Sequence, residues 1–425
     1  MKSNAWILLA VGVGLLLAVP ALLSQSLVNA AIQMLIAALF ACAFNLLCGQ
    51  AGMLSFGHAA YFGVGTFATV HAMNAFGGAG LLPTPLLPLA GAVVGLLVGV
   101  VAGWFATQRS GTYFAMITLA LAELLHALAP HLKGVFGGEA GISAMRMPAW
   151  GFTFGSSTEV YYLVLAWVLL SLALLYLFTL TPMGRLTLGL RENSHRLKFL
   201  GYDVHRLNVT VFAISAMFAG IAGGLQALNT ESANYVLLEG TVSAAVVLNS
   251  YIGGVAVFLG PALGAALMTF FGYAVSDLTR SWLLYQGIVF VLVMMFMPSG
   301  LTGFFKWLGT ARRTHGLAAL LPLLAAGLAA GALLTAGTVF GVELLQRFFS
   351  QDYRSMAALN VGAPWPPIAL FGREWLPAAV GTWAVPLGLG GVGGLLLRLA
   401  ARLWRGLQAR ADSSTETAVQ PRSAL

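Results

Sequence analysis

The sequence predicts an all-α integral membrane protein, a polytopic helical bundle of about ten core transmembrane or re-entrant helices followed by a C-terminal helix pair. Of its 425 residues, 59% are hydrophobic and only 8% are charged, whereas ordinary soluble domains carry about 25% charged residues. A soluble protein of this composition would expose apolar patches that promote aggregation. The apolar residues also gather into runs of about 20 residues, the length that a helix needs to cross a bilayer.

Polar loops separate the apolar segments, and each segment is expected to form one helix of the bundle. The connections at 49–52 and 253–257 are very short and rich in glycine. The segments on either side of each connection are therefore expected to be broken or re-entrant rather than fully spanning. The predicted segments are 5–23, 27–48, 53–75, 86–106, 112–130, 160–180, 207–228, 240–256, 258–276, 282–297, 316–340 and 377–400.

The basic residues predict which loops face the cytoplasm. With the N-terminus inside and one crossing per segment, 15 of the 21 Lys and Arg residues lie on the cytoplasmic side. This bias is the one that the positive-inside rule requires. Both termini are therefore expected in the cytoplasm, with the chain multi-pass in a bacterial inner (plasma) membrane. The same loop distribution explains the net charge of +8, so nucleic-acid binding is not expected.

The loop from Pro182 to Arg206 is the most basic connection between two apolar segments. Its leucines recur at helical spacing, and Glu192 and Arg196 form an i,i+4 pair in the stabilising orientation. These patterns predict a short amphipathic helix at the cytoplasmic face, on which a soluble partner can push. The leucines of the predicted apolar face are Leu186, Leu190, Leu197 and Leu200.

Four sequence stretches in this order resemble one family, the ABC-importer permeases for branched-chain amino acids (LivM-like). They are Gly184-Arg185 with Arg191-Glu192-Asn193 and Leu200-Gly201 in the basic loop, GQAGMLSFGHAAYFGVGTF from Gly49, RSGTYFAMITLALAELL from Arg109, and IGGVAVFLGPALGAAL from Ile252. The order is more specific than any one stretch. The resemblance implies that the basic loop is an ATPase-coupling loop, whose residues are Gly184, Arg185, Arg191, Glu192, Asn193, Arg196, Leu200 and Gly201.

The resemblance also implies a transport function and a set of partners. The chain would be the permease subunit of an ATP-driven importer for a small-molecule substrate, with branched-chain or related amino acids first and urea or a short amide as an alternative. Its expected partners are a second permease of related sequence, two ATP-binding cassette subunits, a periplasmic substrate-binding protein and the lipid bilayer. A rival from another class is a secondary transporter driven by an ion gradient, which usually carries several intramembrane acids and does not need the basic loop.

Enzyme signatures are absent from the sequence. It contains no Walker A pattern, no HExxH and no nucleophile elbow, so ATP hydrolysis is expected in a separate chain. Cys42 and Cys48 form neither a metal pattern nor a disulfide framework and are expected to be small buried residues. Neither a metal nor a cofactor is therefore expected.

Six polar residues inside the apolar segments are candidates for the translocation pathway. Asn45, Gln50, Ser55 and His58 surround the glycine-rich connection, where unwound backbone is tolerated only if it lines a cavity or packs against protein. Glu123 lies near the middle of its segment, with His126 one turn away, and either lines the pathway or joins two helices by hydrogen bonds. Asn249 is the weaker candidate, and His58 is alternatively a packed, hydrogen-bonded core residue.

The resemblance covers residues 30 to about 300 and divides the chain into three parts. Residues 1–305 are expected to form the permease core, and 306–410 a two-helix membrane extension with a periplasmic loop. Residues 411–425 are polar without periodicity and are expected to be a disordered cytoplasmic tail. The outer loop 131–159 is long enough to fold on itself and contact a periplasmic partner, or it is a solvated connector.

Overall fold

The computed structural model describes residues 2–77, 82–297, 299–359 and 365–419. Over these residues the chain is mainly helical, which confirms the predicted all-α membrane fold. The α-helices in these ranges are α1 (Lys2–Leu22), α2 (Gln25–Asn45), α3 (His58–Ala72), α4 (Pro88–Ala106), α5 (Thr112–Leu128), α6 (Lys133–Phe136), α7 (Ser157–Leu180), α8 (Pro182–Phe199), α9 (Val204–Thr230), α10 (Gly240–Gly253), α11 (Gly260–Ser276), α12 (Trp282–Phe296), α13 (Gly300–His315), α14 (Leu317–Phe348), α15 (Gln351–Leu359) and α16 (Val380–Val419).

Each predicted apolar segment contains a helix. Within the described ranges, 6 helices are long and apolar enough to cross a membrane, or up to 8 if each bent helix pair is one span. The strands are minor: β1 (Ile142–Ser143) pairs antiparallel with β2 (Ser232–Ala233), and β3 (Ile368–Leu370) with β4 (Arg373–Trp375). The helices at the two glycine-rich connections, α3 and α10, have 15 and 14 residues, fewer than the about 20 that a span needs.

The chain divides into two compact units. The first comprises Met1–Leu278 and Gln286–Gly303, and the second comprises Thr279–Tyr285 and Phe304–Leu425. The second unit therefore includes the short connection between α11 and α12 as well as the C-terminal helices. Helix α16 continues to Val419, through the first nine residues of the segment predicted to be disordered, whereas residues 420–425 of that segment lie outside the described residues.

Helices α2 and α9 form the centre of the first unit. The most apolar stretch of α2 is 78% buried and that of α9 is 83% buried inside the chain itself. Helix α4 packs closely on α9, because Gly95 lies against the backbone of Ala216 and Gly220 and leaves no room for a side chain. The small residues at four-residue spacing in α9 thus serve helix packing, as expected for such stripes.

Connections that are distant in sequence pack together in the first unit. At the end predicted to be outside, β1 pairs with β2, and Arg146 Nε lies 3.0 Å from the Glu231 carboxylate at the end of α9. Arg146 also donates to the Leu228 carbonyl (2.8 Å). Elsewhere, the connections after α2 and α4 line one cleft together with residues of α8, and the connection after α10 touches the one after α2. The outer loop 131–159 folds on itself, with an antiparallel bridge between Ala149 and Phe152.

The second unit contains a hairpin of two long helices, and α15 and the β3–β4 strand pair pack at one end of it. Helices α14 and α16 pack together where Gly393 meets Leu334. Beyond them, α15 and the β3–β4 hairpin enclose an apolar cluster of Phe340, Leu344, Tyr353, Ile368 and Leu370. The Tyr353 hydroxyl donates to the Pro366 carbonyl (2.8 Å). Glu343 of α14 accepts hydrogen bonds from Thr279 and Tyr285 of the same unit.

Candidate functional site

Helix α2 ends in a break, which is called the first break below and comprises residues 46–57. Leu46–Gln50 form a single π-helical turn, and the chain then runs without regular structure until α3 starts at His58. The Met53 amide donates back to the Leu47 carbonyl (3.0 Å) and closes the turn. The glycine-rich connection is therefore unwound, as predicted. Such a break inside an apolar segment leaves backbone groups that the protein itself must satisfy.

Three buried hydroxyl groups satisfy the free amides at the start of α3. The Phe56 amide donates to Thr118 Oγ1 of α5 (3.2 Å), the Gly57 amide to Ser55 Oγ (3.3 Å) and the Ala59 amide to Ser243 Oγ of α10 (2.9 Å). The first turn of a helix has four amides without helical partners. The break is thus fixed by side chains from two other helices.

His58 lies at the centre of a buried chain of hydrogen bonds. Ser215 Oγ of α9 donates to the Ala43 carbonyl (2.6 Å) and therefore accepts from His58 Nε2 (2.8 Å). Ser55 Oγ, which accepts from the Gly57 amide, directs its own proton at His58 Nδ1 (3.1 Å). A neutral imidazole with its proton on Nε2 satisfies every donor of this chain.

Aromatic rings enclose the imidazole. Phe44 packs edge-on against it, with ring centroids 5.3 Å apart, and Tyr61 and Phe212 lie on other sides. His58 has 0% of its surface exposed. This arrangement is the packed, hydrogen-bonded core residue that the sequence left as an alternative, and it joins α2, α3 and α9.

A second break separates α10 from α11 and comprises residues 254–259. Gly254 has a φ of +103°. The two breaks meet: a Cβ built on Gly49 would lie 2.5 Å from the Val255 carbonyl oxygen, and it would also overlap the Asn45 side chain. Tyr251 reaches Cys48 with its hydroxyl 3.5 Å from Sγ. Only glycine fits at position 49, because backbone and side chains approach it from both sides.

Three amide side chains around these breaks have a carbonyl oxygen without a hydrogen-bond partner. They belong to Asn45, Gln50 and Asn249. Asn45 is 4% and Asn249 8% exposed, and a buried amide without a partner costs free energy. Polar groups kept in this state inside an apolar bundle are suited to bind water or a polar ligand.

Glu123 lies away from the breaks, on α5. Its carboxylate faces the first turn of α10, since a Cβ built on Gly240 would lie 2.6 Å from Oε1. Its side chain is 51% exposed in the single chain, and His126 Nδ1 lies 3.9 Å from Oε2. A carboxylate near a helix N-terminus is stabilised by the helix dipole. About half of the Glu123 side chain is therefore not covered by other residues of this chain.

The loop 182–206, called the docking loop below, forms α8 with a kink at Asn193. Asn193 has φ −162° and ψ 95°, which is not helical, and its Oδ1 accepts from the Arg196 amide (3.1 Å). Asn193 therefore acts as an N-cap that starts a second short helix. The predicted Glu192–Arg196 ion pair does not form, because this kink lies between the two residues; both side chains are exposed.

Gly201 ends α8 in a Schellman motif. The Gly201 amide donates to the Lys198 carbonyl (3.0 Å) and the Tyr202 amide to that of Leu197 (3.1 Å). Gly201 has a φ of +86°, a conformation that glycine adopts without steric cost. Beside it, Leu200 is 65% exposed, so it does not belong to the buried apolar face that the sequence predicted.

The inner face of α8 is formed by Gly184, Thr187, Leu190 and Leu197, all buried. Leu186 is half-buried and Arg185 is exposed. Arg191 is different from the other basic residues of the loop, because its Nη1 donates to the Gly49 carbonyl of the first break (2.6 Å). The predicted coupling residues are thus of two kinds. The guanidinium of Arg191, an otherwise exposed residue, reaches the first break, and Arg185, Glu192, Arg196 and Leu200 lie exposed on the surface.

A cleft of 1270 Å³ lies between the first break, the α4–α5 turn and the docking loop. Gly52, Phe56, Arg109, Lys198 and His205 are among its lining residues. Three of the four stretches that resemble the permease family therefore line the same cleft. They are the stretch from Gly49, the stretch from Arg109 and the docking loop.

The residues that sequence reasoning missed are the hydroxyl partners. Thr118, Ser215 and Ser243 are fully or almost fully buried. In the sequence, each of them is an isolated Ser or Thr within an apolar run. This pattern is too common to identify a functional residue. Among the described residues, no group of three or more His, Cys, Asp and Glu could hold a metal ion.

One known protein family matches the part of the chain that contains this site. The family model described as branched-chain amino acid transport system / permease component matches residues 26–298. The chain belongs to this family. The matched stretch contains every predicted site residue of the permease, from Asn45 to Asn249, and the whole docking loop. Helices α14–α16 lie outside it.

Relatives of this permease are known by name. The high-affinity branched-chain amino acid transport system permease protein LivM of Salmonella typhimurium is 28% identical over 306 residues, 66% of this chain and 71% of that protein. LivM of Escherichia coli is 27% identical over 308 residues, with the same coverage of 66% and 71%. The probable branched-chain amino acid transport permease protein LivM of Methanocaldococcus jannaschii is 27% identical over 273 residues, 57% of this chain and 77% of that protein. No solved structure matches the chain.

Family and fold together establish the broad class of the molecule. The permease is a multi-pass helical protein of the inner membrane, and its role is that of a transport subunit rather than an enzyme.

Proposed function

We propose that this permease forms half of the translocation pathway of an ATP-driven importer for branched-chain or related amino acids, coupled to a separate ATPase through the docking loop. A second permease of related sequence completes the pathway in this proposal. Two ATP-binding cassette subunits hydrolyse ATP, and a periplasmic binding protein delivers the substrate. The substrate class is the one that the relatives are named for.

The shape of the docking loop is the observation that carries the coupling proposal. Its inner face is buried and its outer face presents Arg185, Glu192, Arg196 and Leu200. Two capped ends and a capped kink hold this face in one conformation without burying it. A surface that is rigid, charged and exposed is suited to receive force from a soluble partner.

The orientation of the chain follows from the same loop. It contains five basic residues against Glu192 and Asp203, and basic loops beside membrane spans remain in the cytoplasm. We therefore assign this end of the first unit, with both chain termini, to the cytoplasmic side. The end with the Arg146–Glu231 pair then faces the periplasm, where a binding protein would dock.

The polar groups without partners support a pathway on this chain. Asn45, Gln50 and Asn249 offer amide oxygens next to the breaks. Glu123 is half exposed on α5, and a carboxylate facing lipid is costly, so a polar cavity or the second permease is expected to cover it. Ser55 and His58 hold the first break in shape and are assigned to that structural role.

The test is reconstitution of the importer. The permease is tagged and purified from its native membrane, and its partners are identified by mass spectrometry. We expect an ATPase and a second permease to copurify, and leucine uptake by vesicles to need ATP and the binding protein.

Two outcomes would support the rivals. Uptake that persists without the ATPase and stops with a protonophore would establish a secondary transporter. Uptake of urea or a short amide in place of leucine would keep the importer and change its substrate.

A further inference from the structure

We infer that Arg191 is a positioning residue that ties the docking loop to both helix breaks, so that displacement of this loop shifts the buried polar groups around Gly49. This inference rests on the proposed function for its role in transport, although the contact itself belongs to the fold. It gives Arg191 a different task from the other exposed residues of the docking loop, which are assigned to contact with the ATPase.

The contact has two parts. Arg191 Nη1 donates to the Gly49 carbonyl at 2.6 Å, a short bond from a charged donor and therefore a strong one. The stem of the same side chain lies along the chain at Gly52, where a built Cβ would lie 3.0 Å from Arg191 Cγ. Gly52 has a φ of +74°. The guanidinium and its stem thus hold the start and the end of one four-residue turn.

The π-helical turn explains why the Gly49 carbonyl needs this partner. The Gly52 amide donates to the Cys48 carbonyl and the Met53 amide to that of Leu47. The helix then ends, and Gly49 takes its hydrogen bond from the arginine. A carbonyl at a helix end is one of the groups that must find a donor outside the helix, and Gly49 is buried, so the donor has to come from the protein.

Gly49 is also the point where the pathway candidates and the second break come together. The Asn45 side chain and the Val255 carbonyl both touch the space in which a Cβ of Gly49 would lie. The neighbouring Cys48 faces the Tyr251 hydroxyl (3.5 Å). Since this packing leaves no gap, Gly49 cannot move without shifting the unpartnered amide of Asn45 or the backbone of the second break.

The position of Arg191 within α8 suits such a transmission. It lies two residues before Asn193, the kink that separates the first part of α8 from the part that ends at Gly201. Force applied to the exposed part beyond the kink therefore reaches the buried break through one side chain.

The test uses the two native cysteines, both free and buried. Replacing Cys42 with Ala leaves Cys48 as a single thiol beside Gly49. In the full-length permease, Arg191→Ala should raise the rate of Cys48 alkylation by N-ethylmaleimide roughly tenfold or more, because a charge-assisted hydrogen bond that keeps the break closed is lost. Arg191→Lys, which keeps one cationic donor, should give a smaller increase.

Arg206→Ala is the matched control. Arg206 lies in the same loop, but its partner is the neighbouring Asp203 at 3.1 Å, so the Cys48 rate should not change. An equal rate in Arg191→Ala and the unmutated protein would overturn the inference. If Arg191→Ala does not accumulate in the membrane, Arg191→Gln is measured in its place by the same criterion.

A second measurement separates this inference from the proposed function. In the complex with its ATPase, a non-hydrolysable ATP analogue should change the Cys48 rate, and Arg191→Ala should remove that change. A nucleotide effect that survives in Arg191→Ala would show that the signal takes another route. If no ATPase copurifies with the unmutated permease, the proposed function fails, while the first measurement still decides whether Arg191 holds the break.

Discussion

The central helices of the first unit and the helix hairpin of the second unit are both apolar, but the protein uses them differently. The most apolar stretches of α2 and α9 are 78% and 83% buried by the chain itself, whereas those of α14 and α16 are each 11% buried. The first pair contains His58's partners Ala43 and Ser215, and α2 is interrupted by a π-helical turn. The second pair runs as uninterrupted helices of 32 and 40 residues. Burial and interruption together, rather than hydrophobicity, distinguish the part that contains the candidate site.

The surroundings of several glycines also differ between the two units. In the first unit, Gly49 and Gly95 lie where two backbones approach each other. In α16, Gly388, Gly391 and Gly394 have no neighbouring atom within 4 Å of a built Cβ. A glycine-rich apolar stretch therefore predicts a break or a close contact only where another element packs against it.

The largest effect is expected at Gly201, where the docking loop depends on backbone conformation alone. A Cβ at this position meets no other atom, but the φ of +86° is unfavourable for any side chain and most of all for a β-branched one. Gly201→Val should therefore disrupt the end of α8 and abolish ATP-driven uptake while the protein still inserts. Glu192→Lys, which reverses a charge on the exposed face, should do the same. Uptake into reconstituted vesicles measures both.

Gly201→Asn is the control, because asparagine tolerates the left-handed conformation better than other side chains. It should retain most of the uptake. If Gly201→Val supports normal substrate-stimulated ATP hydrolysis and undiminished binding of the ATPase, the docking loop does not transmit force through this end.

A smaller effect is expected at His58, in the buried hydrogen-bond network of the first break. His58→Leu removes one hydrogen bond from each of Ser55 and Ser215 and leaves the Ser55 O–H without an acceptor, and an unsatisfied buried group costs about 1–3 kcal/mol. The melting temperature of the detergent-solubilised permease should fall. His131→Leu is the control, since His131 is exposed, and it should not change the melting temperature. An equal shift in both variants would contradict the role assigned to His58.

Glu123 tests whether the exposed face of α5 belongs to the pathway. If it does, Glu123→Gln should change the apparent affinity for the substrate or the rate of uptake, with little change in assembly. If Glu123 instead joins two helices, Gln should be nearly silent because it still forms hydrogen bonds, and Glu123→Leu should lower assembly. Normal uptake and assembly in both variants would exclude both roles.

The sequence predicted the helices and the breaks because their signals are local. Apolar runs of sufficient length specify spans, and clustered glycines at 49–52 and 253–254 specify unwound backbone. The docking helix was predictable from its spacing of leucines. Its kink was not, although Asn193 is a residue type that favours an N-cap over a helix interior.

The contacts between distant segments could not be predicted from one sequence. Arg185 and Arg191 both lie off the predicted leucine face, and only the fold shows that one of them reaches a carbonyl 142 residues away. Ser215 and Thr118 are likewise ordinary small residues in apolar runs until the break is placed beside them. Predicting these contacts requires the packing of α2, α5, α8 and α9, which depends on the whole bundle.

The smallest effect on transport is expected from removal of the C-terminal hairpin. Its helices are little buried and lie outside the stretch that matches the permease family. Truncation after Thr314 should therefore leave an inserted permease that still binds its ATPase. The truncation would destabilise only the segment between α11 and α12, because Glu343 and Gln346 of α14 accept hydrogen bonds from Thr279, Ser281 and Tyr285. Limited proteolysis between α11 and α12 should become faster in the truncated protein.

The same hairpin provides a test of the predicted orientation. Ser355 is exposed on α15, between α14, which follows the basic residues of α13, and α16, whose C-terminal part is basic. Both groups of basic residues are expected to remain in the cytoplasm. A cysteine introduced by Ser355→Cys should react with a membrane-impermeant thiol reagent in intact cells, since both native cysteines are buried. Labelling that requires a broken inner membrane would reverse the orientation of the hairpin. The connection between α11 and α12, which hydrogen-bonds to the same end of α14, would then also lie inside, contrary to the topology predicted for the core.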